Sequence, residues 1–230
     1  PATTTIGFDT EGNIDEAAIE TFCTGTTCTV YQWLDQSGND NTATAPSTGA
    51  EPTIYTGSEL VKENGRVAVD FDGTDDYLNI SANILTSESY LSESVAKLTS
   101  TTQEGVLWNY NTGTSNATAQ LGFNRYLSNE VLYRDDNGTN ERKSGITNNT
   151  RVLYSVEQNI LRLDGNAQTG SAVGRLKNSN EIGGSSFPFL GNAQELLFWN
   201  GSKSTTDRTD IEENVGDYFT QNTPLLDTYS

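Results

Sequence analysis

Apolar residues come in short runs of Val, Ile, Leu and aromatics, broken by Gly, Ser, Thr and Asn. Such interrupted patterning suits many strands joined by polar loops better than it suits helices. From Thr29 to Asp35 the chain alternates, with Val30, Gln32 and Leu34 on one side and Tyr31, Trp33 and Asp35 on the other. Both sides carry apolar groups, which predicts a central strand. Further strands are predicted at Arg66–Phe71, Tyr77–Ile80, Leu91–Leu98, Gly105–Tyr110, Ala119–Asn124, Glu130–Tyr133, Arg151–Gln158, Ile160–Leu163, Glu181–Ile182 and Ala193–Trp199. Asp164-Gly165 carries the hairpin signal that pins the register of its flanking strands. Two segments break the period. Ile14–Phe22, with Asn13 as N-cap, places Ile14, Ala18, Ile19 and Phe22 on one helical face, and 204–219 repeats Ile211, Val215, Tyr218 and Phe219 at helical spacing behind Ser204 or Thr206 as cap. The stretches Ala45–Lys62 and Asp135–Thr150 read as polar loops. With no internal repeat and no dividing linker, residues 1–230 are expected to form a single domain.

Composition narrows the choice of partners. Thirteen basic residues against thirty-one acidic ones give a net charge of −18, a field that repels phosphate backbones and anionic membranes. No apolar run approaches the roughly 20 residues of a membrane span. Histidine is absent, which removes the usual general base and any Ser-His or Cys-His nucleophile. Methionine is absent too and the chain begins at Pro1, so a processed product or a piece of a longer polypeptide is expected. Cys23 and Cys28 are too few for a zinc site, leaving a small-loop disulfide or two buried thiols.

The strand running into Asp35-Gln36-Ser37-Gly38-Asn39, the strand around Phe71-Asp72-Gly73-Thr74-Asp75-Asp76-Tyr77-Leu78, the late strand Gly191–Trp199 and the closing helix after Asp207-Arg208 follow one another in order. Together they resemble laminin-G-like, concanavalin A-like jelly rolls of bacterial surface proteins and marine phage structural proteins. The resemblance implies an all-β fold: a sandwich of two antiparallel sheets with one or two short peripheral helices. A narrower similarity covers Ala17 to Thr44. There Phe22-Cys23-Thr24-Gly25-Thr26-Thr27-Cys28-Thr29 followed by Asp35-Gln36-Ser37-Gly38 resembles the N-terminal part of the fungal α-L-arabinofuranosidases of glycoside hydrolase family 54. That likeness implies a Cys23–Cys28 bridge. It departs from the family in lacking the further cysteines of the adjacent-cysteine disulfide, and the family's catalytic carboxylates have no match that motifs reveal.

Candidate chemistry is spread over several loops. The neighbours Asp135/Asp136, Asp75/Asp76 and Glu212/Glu213 read as turn-forming or solvated acids, and none stands out as a catalytic pair. Asp35, Asn39, Asp40, Asp72, Asp75 and Asp76 offer the hard oxygen ligands that Ca2+ takes, against the alternative that they only stabilise turns. Trp108 and Tyr110, two apart on one strand, offer faces for stacking on sugar, with sandwich core as the competing use; Trp33 and Trp199 read as core. Tyr133, Arg134 and Asp135 offer hydroxyl-pairing groups, and the loops 113–117, 126–129 and 133–140 are candidate walls.

The resulting expectation is a non-catalytic recognition or adhesion module that binds glycan or a cell-surface receptor, extracellular or on a virion surface. A purely structural domain contacting neighbouring subunits is the alternative. An arabinofuranosidase-like hydrolase is the second alternative.

Overall fold

The alternating segments pair into two antiparallel sheets of eight strands each in the computed structural model. It describes residues 2–81, 84–85, 89–100, 102–109, 120–124, 128, 130–134, 140–144, 146, 149–157, 160–168 and 180–220. Edge to edge, the back sheet runs Thr27–Thr29, Thr53–Thr56, Val69–Asp72, Leu190–Asn200, Tyr90–Leu98, Arg151–Glu157, Ile160–Leu163, Asn166–Ala167. The front sheet runs Asn140–Ser144, Glu130–Arg134, Gln120–Phe123, Gly105–Asn109, Glu181–Ile182, Leu78–Ile80, Ala43–Thr44, Gln32–Trp33. The expected all-β sandwich is therefore the observed architecture, with two helices, α1 (Glu16–Cys23) and α2 (Thr205–Thr220), at its periphery.

The core lies between the sheets, because alternate residues of both point inward. Leu78, Ile80, Trp108, Leu121, Phe123 and Ile182 of the front sheet meet Phe71, Ala96, Tyr154, Val156 and Ala193 of the back sheet. Aromatic edges lock the layers: Trp108 on Phe198 at 5.7 Å between ring centres, and Phe123 on Tyr154 at 5.3 Å. On the outer face of the back sheet, Val95, Leu153 and Leu197 receive Ile211, Val215, Tyr218 and Phe219 of α2. Ser204 caps that helix, its Oγ accepting from the Asp207 N–H at 3.1 Å.

Three expectations are corrected. The segment 29–35 is not one central strand: Thr27–Thr29 sits at an edge of the back sheet and Gln32–Trp33 at an edge of the front sheet. Between them the Val30 N–H bonds the Pro52 carbonyl, and the Tyr31 carbonyl accepts from the Ala45 N–H, so the chain crosses from one layer to the other and both apolar sides are used in turn. The first helix starts later, with Asp15 as its cap accepting from the Ala18 N–H. Asn13 is engaged elsewhere, its side-chain oxygen accepting from Arg66 and from the Tyr218 hydroxyl, while Phe22 is 40% exposed and outside the helix's buried face of Ile19 and Cys23. The two polar stretches also hold strands, Thr53–Thr56 and Lys62–Glu63 in the first and Asn140–Ser144 in the second. Polar sequence did not preclude them, since strands are held by ladder hydrogen bonds as well as by apolar faces.

Candidate active site

The face of the front sheet turned away from the core carries a row of polar residues. The register of the ladder aligns Gln32 with Thr44, Thr44 with Asn79, Asn79 with Glu181, and Glu181 with Asn109. The row exists because each described member is flanked on its strand by core residues: Asn79 by Leu78 and Ile80, Thr44 by Ala43 and Ala45, Glu181 by Ile182, and Asn109 by Trp108. Alternation then sends the polar side chain to the opposite face.

The row is graded in depth. Gln32 and Asn79 are exposed, Thr44 is half-buried, and Glu181 and Asn109 are 7% and 6% exposed. Glu181 is held by the turn that follows it. Gly183 and Gly184 take φ of +92° and +65°, folding the chain back so that Ser185 lies over the carboxylate. The Ser185 hydroxyl sits 3.0 and 3.1 Å from the two carboxylate oxygens, and its backbone N–H donates at 3.3 Å. In the neighbouring strand the side-chain oxygen of Asn109 is shut from solvent and, among the described residues, accepts no hydrogen bond. A carboxylate fixed in this way beside the exposed Asn79 can exchange a proton with a hydroxyl-bearing ligand.

The residues singled out from sequence fall differently. Trp108 is 1% exposed against Phe198, so its ring belongs to the core and offers no face to sugar. Tyr133 and Arg134 are strand residues of the front sheet, in register with Leu121 and Gln120. Tyr110, Asp135 and Asp136 lie outside the described residues. Asp35 closes its own loop, accepting from the N–H groups of Ser37 and Asn41; the Ser37 side chain first, and then these backbone bonds, hold its carboxyl below the usual range. Asn39 donates to the Ser37 hydroxyl at 2.9 Å, and Asp40 takes a left-handed φ of +62° in that turn. Asp72, Asp75 and Asp76 do come together, with carboxylate oxygens within 4.8 Å of one another, and neither Asp35 nor Asp40 joins that group. Their oxygens serve the turn: Asp72 accepts from the Thr74 N–H at 2.7 Å, and Asp76 from the Asp72 N–H at 2.9 Å. The reading of these acids as turn formers fits both loops, and the calcium expectation is not carried further. Cys23 and Cys28 form the disulfide.

Sequence reasoning missed Glu181, Ser185, Asn109 as a site group, and the outer half of the row. The available signal was a lone polar residue between apolar neighbours on each strand, but the pairing that aligns Gln32 with residues as distant as Glu181 is not written in any one segment.

Residues 2–156 match the family described as "Alpha-L-arabinofuranosidase B, catalytic". Among solved structures, the chain is similar to an arabinofuranosidase complexed with arabinofuranosyl-alpha-1,2-xylobiose, at 16% identity and a TM-score of 0.61. A glutamate-to-glutamine mutant of a glycoside hydrolase family 54 a-l-arabinofuranosidase soaked with 4-nitrophenyl a-l-arabinofuranoside gives the same identity and TM-score, and the enzyme soaked with a cyclic sulfate inhibitor gives 17% and 0.60. Each match covers 95% of this chain and 56% of the other, so the chain spans just over half the length of these proteins. At such identities the likeness carries the fold alone. No curated protein matches. The match to a catalytic-domain family overturns the expectation of a non-catalytic adhesion or virion module, and with it the expectation that the chain is not an enzyme.

Proposed function

Because the chain belongs to the alpha-L-arabinofuranosidase B catalytic family, we propose that it is an extracellular glycoside hydrolase that cleaves α-L-arabinofuranosyl linkages. The observation that carries the assignment to a site is the Glu181 carboxylate, clamped by Ser185 and aligned across the ladder with Asn109 and Asn79. In a chain without histidine, proton transfer at a glycosidic oxygen falls to carboxyl groups. Glycoside hydrolysis uses two: one gives a proton to the departing oxygen, and the other attacks the anomeric carbon or activates the water that does. Glu181 supplies one of them. The Cys23–Cys28 disulfide and the family fit an oxidising, extracellular setting.

Hydrolysis of 4-nitrophenyl α-L-arabinofuranoside tests this reading. Wild-type protein is expected to turn it over, and Glu181→Gln to lose roughly 100-fold or more in kcat. Release of nitrophenol no faster than in buffer would refute the activity, and a Glu181→Gln variant at full rate would refute the assignment of the carboxylate.

A further inference from the structure

The outer face of the back sheet, on the far side of the sandwich from Glu181, buries a second group of ionisable residues beneath α2. Val215 of the helix packs on Val95 and Leu153, which face each other across the ladder. The next outward-facing pair along the same two strands is Glu93 and Ser155, and Glu212 lies one helical turn before Val215. Glu212 therefore comes over the Glu93–Ser155 pair. Arg208, a further turn back, continues the alignment by reaching Glu157 at 3.5 Å. We infer that Glu93 carries a proton which it donates to Glu212, that this hydrogen bond latches α2 to the sheet, and that rising pH weakens the latch by passing the proton to solvent. The inference is independent of the hydrolase reading.

Two geometric observations carry it. First, each carboxyl has one oxygen met and one left over. Glu93 accepts from the Ser155 hydroxyl at 2.8 Å, and Glu212 accepts from Arg208 Nη1 at 2.6 Å. Glu93 Oε2 and Glu212 Oε1 are shut from solvent and make no hydrogen bond among the described residues. Two ionised carboxylates offer only acceptors, so a single proton between them meets both oxygens. Second, the charges do not cancel without it. The cluster holds Glu93, Glu157 and Glu212 against Arg162 and Arg208, three acids to two bases. With Glu93 protonated it is neutral, whereas ionised Glu93 leaves an excess charge on a residue that is wholly buried. Burial accordingly pushes the Glu93 carboxyl up to about 8. Once α2 lifts away, Glu93 meets water and its ordinary value of 4.5 returns. The docked form thus holds one proton more than the open form between those values, so the opening constant rises up to tenfold per pH unit across that window and levels off above it. Glu195, next along the same face and pushed up to about 7 by burial, also senses Tyr218 of α2, so the interval between about pH 7 and about pH 8 belongs to Glu93.

Amide hydrogen exchange of the intact protein, divided by the chemical exchange rate at each pH, tests the latch. Protection of the α2 amides is expected to fall as pH rises from about 5 to about 8 and then to level off. The strand Leu190–Asn200, paired on both sides, is expected to keep its protection throughout. Glu93→Gln offers Glu212 an amide N–H that cannot titrate, so its α2 protection is expected to stop falling by about pH 7. Glu212→Gln donates to Glu93 whether or not Glu93 is ionised, and is expected to reduce the total fall roughly tenfold or more. A fall between about pH 7 and about pH 8 that persists in Glu93→Gln, or an undiminished fall in Glu212→Gln, overturns the latch. Should either variant fail to fold, the wild type still decides: α2 protection that is level with pH, or that is lost together with the strand's, overturns it.

Discussion

Gly183 shows how single positions build the site. Its φ of +92° belongs to the left-handed region, and a Cβ placed there would lie 2.6 and 2.7 Å from ring carbons of the fully buried Phe71 and 2.8 Å from the Asp76 carbonyl. Both the backbone and the space demand glycine, because the turn must bring Ser185 back over Glu181 while the chain passes against the core. Gly183→Ala is therefore expected to lower unfolding free energy by roughly 2–4 kcal/mol, combining the dihedral penalty with overpacking. Urea denaturation checks it, and a loss below about 0.5 kcal/mol would mean that the turn adapts freely. At this scale the sequence was partly legible. The Cys23–Cys28 bridge followed from a family likeness, and the turn roles of Asp35 and Asp72 followed from residue type, because both depend on neighbours close in the chain. Glu181 was not legible as a site residue. Thirty-one acids compete for notice, and only the fold shows that this one is shielded from solvent and clamped by a hydroxyl four residues on.

Among the elements, α2 covers a polar group that the back sheet cannot leave in the open. Glu93, wholly buried in the central strand Tyr90–Leu98, accepts from the Ser155 hydroxyl at 2.8 Å. Glu157 pairs with Arg162 at 3.2 Å and Arg208 at 3.5 Å, and Arg208 returns to Glu212 at 2.6 Å. Burial pushes the Glu93 carboxyl up to about 8; the Ser155 bond opposes this, the Glu212 charge adds to it, and Arg162 and Arg208 pull it down. The folded protein thus keeps a proton that the unfolded chain sheds near pH 4.5. Stability falls as pH rises from there to about 8, the reverse of a carboxylate stabilised by an ion pair. Glu93→Gln removes the titration and keeps an acceptor for Ser155. The variant is expected to match wild type near pH 4 and to exceed it by about 1–3 kcal/mol above pH 8. Parallel thermal-unfolding curves across that range would refute the assignment. The helix itself was legible, since the spacing of Ile211, Val215 and Phe219 gives its apolar face directly. The long strands were legible by alternation as well. Short strands such as Ala43–Thr44 and Asn140–Ser144 were not, because two to five residues carry too few alternations to separate a strand from a loop.

For the whole molecule the dominant fact is charge. With thirty-one acids against thirteen bases, folding gathers like charges into a smaller volume. The layers keep that repulsion off the core by sending acids to turns and outer faces, and by pairing some with scarce cations: Lys62 with Glu16, Lys97 with Glu63, and Arg208 with both Glu157 and Glu212. Most carboxylates have no such partner to choose, since bases are outnumbered, so their mutual repulsion is long-ranged and open to screening. Raising sodium chloride from about 0.01 M to about 1 M shortens the Debye length from roughly 30 Å to roughly 3 Å. The thermal midpoint is expected to climb steadily over that range, by roughly 2–4 °C for each kcal/mol of repulsion removed. The same screening weakens the exposed Lys62–Glu16 pair, an opposing effect worth at most about 1 kcal/mol and too small to reverse the trend. A midpoint that stays flat or falls with salt would mean that local pairing, rather than net charge, governs the electrostatics of this sandwich.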